Sequence, residues 1–163
     1  MKQIQVLRHA PFQNTYKNLR TRLCELQIKM LHTEFPSAAA DELLNTLVET
    51  LEFCEESTRQ EEACILSRLQ DKAAAMAAEL AEEHEQEEDL MARLRYLVKR
   101  WRQTHCAPDA QAILFGLSDF TAFKLVHLNR EQRELMPILW QHYNDEELKC
   151  IEQEMHTVKS HAA

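Results

Sequence analysis

His127 and Glu131 stand four residues apart in a stretch whose apolar residues recur at helical spacing. On a helix such an i, i+4 pair lies one turn apart on one face. An imidazole nitrogen and a carboxylate oxygen therefore point the same way. If that face turns into a core, leaving the charge unpaired costs roughly several kcal/mol. A metal ion is the compensation these donor types suit. Three further residues on apolar stripes can join the pair: His9, Glu61 and His84. Three imidazoles and two carboxylates form a donor set for iron, manganese or zinc, and the carboxylates can bridge two ions.

Positioning five such groups needs long rigid elements, and the periodicity supplies them. A first helix is expected from about His9 to His32, with Phe12, Tyr16, Leu19, Leu23, Leu26 and Met30 on one face, ended by Pro36 and Ser37. A second runs from about Ala39 to Leu69, with Leu43, Leu47, Leu51, Cys54, Glu61 and Ile65 as its stripe. The third spans Asp71 to just before Pro108, with Ala77, Leu80, His84, Glu87, Met91, Leu94 and Val98. A fourth covers Asp109 to Tyr143, carrying Phe120, His127, Glu131, Leu135 and Ile138. Gly116 and Ser118 are candidates to bend it early, and Pro137 is expected to kink it beyond Glu131. Asn144 with Glu147 three residues on reads as a capping box for a short fifth helix, whose docking stripe is Leu148, Ile151, Met155 and Val158. The predicted fold is all-α, an antiparallel up-down four-helix bundle with a C-terminal fifth helix, in one domain spanning 1–163.

Composition agrees and narrows the function. The 163 residues hold one glycine and four prolines, so helix breakers are scarce. A net charge of −8 argues against nucleic acid or an anionic membrane surface as the main partner. No apolar stretch approaches a membrane span, and Met1 to Leu7 lacks the apolar run of a signal peptide. The five cysteines are scattered without a CxxC, which fits reduced thiols in a cytosolic protein.

Counting from the turns tests whether the polar positions share a level. From Phe35, His9 lies 26 residues back and Glu61 lies 26 forward. From Gln70, Glu61 is 9 back and His84 is 14 forward. From Ala107, His84 is 23 back and His127 is 20 forward. At about 1.5 Å per residue the mismatches stay under two turns, and the count favours a fourth helix continuous through Gly116. Taken singly, each residue is more readily a hydrogen-bonded core group or a surface pair than a ligand. Five at one height favour a metal. His32, His105, His142, His156 and His161 are assigned to the core or surface, and the acidic run Glu82 to Asp89 to a mostly solvated face.

Several segments resemble the hemerythrin-like, HHE-type cation-binding family. Glu61-Glu62-Ala63-Cys64-Ile65-Leu66 is similar to its second-helix segment. His127-Leu128-Asn129-Arg130-Glu131, with Leu135 to Trp140 and Tyr143 to Leu148, resembles its fourth-helix signature, the most specific part of the likeness. Arg8-His9-Ala10-Pro11-Phe12 is similar to the first-helix region, and the likeness covers about residues 8 to 155. The resemblance implies a non-heme diiron centre, with ligands at His9, at position 57 with Glu61, at His84, and at His127 with Glu131. Glu61 and Glu131 would bridge the irons. Ser57 departs from the histidine the family carries there and leaves one iron short of a nitrogen. Water, or Cys54, Glu56 or Glu88, would then fill the vacancy, or the centre would hold a single iron.

The function expected from this is a cytosolic non-heme iron protein that binds or senses dioxygen, nitric oxide or peroxide, or handles iron. That is a binding or sensing module more than an enzyme, and a protein partner or a homodimer is compatible with it. The alternative is a metal-free helical interaction module, in which Glu61 and Glu131 are solvated or paired with Arg59, Arg130 or Lys124. A diiron enzyme acting on an organic substrate would need a further pocket that no motif identifies.

Overall fold

The computed structural model describes residues 13–158. Within them the chain is all-helical, without a strand. Helix α1 is Gln13–Leu31. Helix α2 begins as Ala38–Glu61, passes through a π-helical turn at Glu62–Leu66 and ends with Ser67–Leu69. Helix α3 is Ala74–Thr104. Helix α4 begins as Ala107–Arg130, passes through a second π-helical turn at Glu131–Leu135 and ends as Met136–His142. Helix α5 is Asp145–Thr157. No helix among the described residues is long and apolar enough to cross a membrane.

The ends of these helices follow from local chemistry. Ser37 caps α2 by accepting from the Ala40 amide at 3.1 Å. His105 closes α3 in the left-handed conformation at φ 49°. At α5 the expected capping box is present: Asn144 accepts from the Glu146 and Glu147 amides, while Glu147 accepts from the Asn144 amide at 2.8 Å.

Helices α1 and α3 each pack on both α2 and α4, and α5 lies across α2 and its π turn. The core is filled by leucines at alternating three- and four-residue steps. On α2 they run Leu44, Leu47 and Leu51, continued by Cys54, Thr58 and Glu61. The whole α3 stripe expected from the sequence is buried, His84 and Glu87 included. Helix α4 runs unbroken through Gly116, which serves close approach rather than a bend: a Cβ there would meet Leu94 Cδ2 at 3.0 Å.

Two details of the periodicity differ from expectation. On α2, Leu44 rather than Leu43 faces the core. On α4, Leu135, Met136 and Leu139 are buried while Ile138 is only partly so. The second difference has its cause in the π turn. The Met136 amide donates to the Glu131 carbonyl, five residues back. One extra residue in the turn shifts the buried face, and the irregularity expected at Pro137 takes this form just ahead of the proline. The matching turn on α2 has the Ser67 amide donating to Glu62 and leaves Cys64, Ile65 and Leu66 buried in succession. One turn begins directly after Glu61 and the other at Glu131, both candidate ligands.

Candidate metal centre

Three helices bring four of the five sequence candidates together. Glu61 from α2, His84 from α3, and His127 and Glu131 from α4 each offer one donor atom, and these atoms lie within 4.8 Å of one another. All four residues are at least 94% buried. His9 falls outside the described residues. From α1 the described residue facing this group is Tyr16, whose buried hydroxyl is held well above its usual pKa by burial and then by the charges of Glu131 and Glu61.

Each imidazole is clamped from outside. His84 Nδ1 lies 3.0 Å from Glu62 Oε1, and His127 Nδ1 lies 2.6 Å from Glu83 Oε2. A carboxylate accepts and does not donate, so each Nδ1 carries the proton and donates it. The Nε2 atoms then face inward, His84 Nε2 at 3.7 Å from Glu61 Oε2 and His127 Nε2 at 2.7 Å from Glu131 Oε1. The clamps cross between helices: Glu62 follows Glu61 on α2 yet holds the α3 histidine, and Glu83 precedes His84 on α3 yet holds the α4 histidine. Arg130 in turn binds Glu83, Glu79 and Glu134. The two imidazoles meet edge to face with ring centroids 5.2 Å apart, and Phe123 stacks on His127.

This arrangement is electrostatically unbalanced by protein alone. Glu61 Oε1 and His84 Nε2 have no hydrogen-bond partner among the described residues, while Glu131 relies on His127 Nε2 at 2.7 Å. Burial, and then the neighbouring Glu131 charge, push the Glu61 carboxyl upward. Burial also acts against Glu131, but the hydrogen bond and charge of His127 outweigh it and pull that carboxyl down. His127 feels burial in the opposite sense, and Glu131 overcomes it, raising the imidazole to about 9. Inward lone pairs and carboxylates facing one another call for a cation, either protons or a metal. Two imidazoles and two carboxylates with buried donor atoms fit a divalent transition ion, and outer carboxylates on Nδ1 are the usual support of such ligands.

The other sequence candidates fall elsewhere. Ser57 is half-buried, four residues before Glu61 on α2. Glu56 binds Gln60 and Arg59 on the outside of α2, and Glu88 is exposed. Cys54 is buried, but its thiol is pushed up to about 12, chiefly by burial, and lies near Lys124 and Glu87. Arg59, Arg130 and Lys124, the cations that could have balanced Glu61 and Glu131, form ion pairs with Glu55 and Glu56, with Glu79, Glu83 and Glu134, and with Glu87. His32, His105, His142 and His156 are exposed, as expected, and His161 lies outside the described residues.

Sequence reasoning missed Glu62 and Glu83 as outer supports of the histidines, and the buried pairing of Lys124 with Glu87. For the first two the available signal was an acidic residue directly beside a ligand on its own helix. For Lys124 it was a lysine three residues before His127 on the buried face. Compared with models of known protein families the chain matches none, and no characterised protein is similar enough in sequence to count as a relative.

Proposed function

We propose that this chain is a hemerythrin-like, non-heme iron protein of the cell interior, in which α1 to α4 form an antiparallel up-down bundle around Glu61, His84, His127 and Glu131. The observation that carries this reading is the convergence of those four buried donors within 4.8 Å, with Glu61 Oε1 and His84 Nε2 lacking a hydrogen-bond partner among the described residues. A purely structural role for the group is disfavoured by cost. Protons alone let His127 pair with Glu131, but Glu61 is left without a hydrogen-bonded cation, because Arg59, Lys124 and Arg130 are committed to other carboxylates, and a buried charge without compensation is strongly destabilising.

Iron bound here would offer reversible coordination of a small ligand such as dioxygen, nitric oxide or peroxide. The chain's own residues set the conditions. Glu62 and Glu83 fix which imidazole nitrogen faces inward and hold the ring planes. Phe123 covers one face of His127, and all four donor residues are themselves buried from water. The Tyr16 hydroxyl stays protonated and donates to Glu131, which helps to hold that carboxylate in place. Nothing in this arrangement requires an organic substrate, so binding or sensing is favoured over catalysis.

Elemental analysis of protein purified after growth with iron, together with an optical spectrum and melts with and without chelator, tests the proposal. Stoichiometric iron and a lower Tm on chelation are expected, because a ligand bound only by the native state stabilises it. Absence of bound metal, with no change in Tm on adding ferrous, manganous or zinc ions, would overturn it.

A further inference from the structure

Next to the four-donor group lies a second buried polar layer. Lys124 and Glu87 are paired at 2.7 Å with side chains 3% and 0% exposed. The Thr58 hydroxyl donates to the same Glu87 oxygen at 3.3 Å. Lys124 stands three residues before His127, and Glu87 three residues after His84. Along a helix three residues are about 4.5 Å, close to the ~3.5–4 Å that separates the ions of a two-metal site. The lysine thus stands about one helical turn along α4 from the four-donor group, and its buried charge is felt by both Glu131 and His127.

Resting on the metal-binding reading above, we infer that Lys124 takes the place of a second cation, so that this site holds one divalent ion rather than two. The charges close on that count. One divalent ion balances Glu61 and Glu131, and Lys124 balances Glu87. A second ion would place two more positive charges beside a buried ammonium, with no carboxylate left to offset them. Among the described residues the cluster able to hold an ion is Glu61, His84, His127 and Glu131. The pair thus determines nuclearity.

Manganese stoichiometry and electron paramagnetic resonance provide the test. Metal-free protein is loaded with excess Mn(II), desalted, and analysed for metal content and spectrum. One equivalent with the six-line signal of an isolated ion is expected. Two equivalents with an exchange-coupled signal would overturn the inference while leaving the metal-binding proposal standing, and no bound manganese, with no ferrous or zinc ion bound either, would overturn both. The variant Lys124→Met leaves Glu87 without a cation and is expected to take up a second equivalent. The double variant Lys124→Met/Glu87→Met removes both charges and should return to one. A folded Lys124→Met that still binds one equivalent would refute the role of the ammonium. If that variant does not fold, the wild-type spectrum alone decides between one ion and two.

Discussion

Replacing Glu83 by glutamine separates the outer support of the centre from the centre itself. Its Oε2 accepts the His127 Nδ1 proton at 2.6 Å, and its other oxygen is held by Arg130. Glutamine keeps the length and one accepting carbonyl for His127, so the ring orientation survives while the negative charge and the acceptor for Arg130 are lost. A charge-assisted hydrogen bond is roughly twice as strong as a neutral one, and loss of such a partner typically weakens metal binding by about 10- to 100-fold. Glu83 is 21% exposed at its side chain, which screens part of the charge and places the expected loss nearer tenfold, or about 1.4 kcal/mol. Arg130 retains Glu79 and Glu134, so the helix contact is kept. The assay is competition for zinc or ferrous ion against a chromophoric chelator, with Glu88→Gln as the control from the same acidic run, since Glu88 is exposed. The metal-induced rise in Tm should shrink by the same free energy. A Glu83→Gln protein that folds and binds metal within twofold of wild type would show that the Nδ1 clamp contributes nothing, and the reasoning would be wrong.

Other perturbations have definite signs. Glu61→Gln should abolish metal binding yet raise the Tm of the metal-free protein at pH 8, by about 1–2 kcal/mol of stability, because an ionised carboxyl is removed from a buried site beside Glu131; a metal-free variant less stable than wild type would count against this. In chelator, stability should fall as pH rises from about 6.5 to about 9, read as Tm against pH. The His127 imidazole, raised to about 9, contributes stability fully present below its unfolded pKa near 6.5 and lost above its folded one, about 3 kcal/mol in all. Glu61, also raised, works in the same direction, whereas Glu131, lowered, loses its contribution only as pH falls into the acid range. Metal-loaded protein should lack the alkaline fall. Asn144→Ala removes the α5 cap and should cost about 1 kcal/mol, seen as faster amide exchange confined to Asp145–Thr157; unchanged exchange would mean that docking alone holds this helix.

Much of this was legible in the sequence. Apolar spacing gave five helices with ends a few residues from those observed, because periodicity reflects burial directly. The height count brought Glu61, His84, His127 and Glu131 together because straight helices convert residue number into distance. What escaped was set by contacts between helices. Which carboxylate clamps which imidazole depends on rotation about neighbouring axes, so Glu62 and Glu83 read as ordinary neighbours of ligands. Lys124 read as a cation for Glu61 or Glu131, since only packing reveals that Glu87 reaches it first. Leu43 and Ile138 were assigned inward by a regular repeat, and at Ile138 the widened turn after Arg130 broke that repeat.

Those widened turns also govern how the chain tolerates changes in length. Each turn absorbs one extra residue, so deleting one such as Ala63 would let Glu62–Leu66 close into ordinary α-helix while the residues downstream keep their faces. Glu61, Ile65 and Leu69 would hold their places, and α5 would keep the surface on which it rests. A deletion in the regular helix upstream of Glu61 has no such slack and would turn the stripe by about 100°. Single-residue deletions inside the two turns should therefore prove less damaging than deletions elsewhere in the same helices.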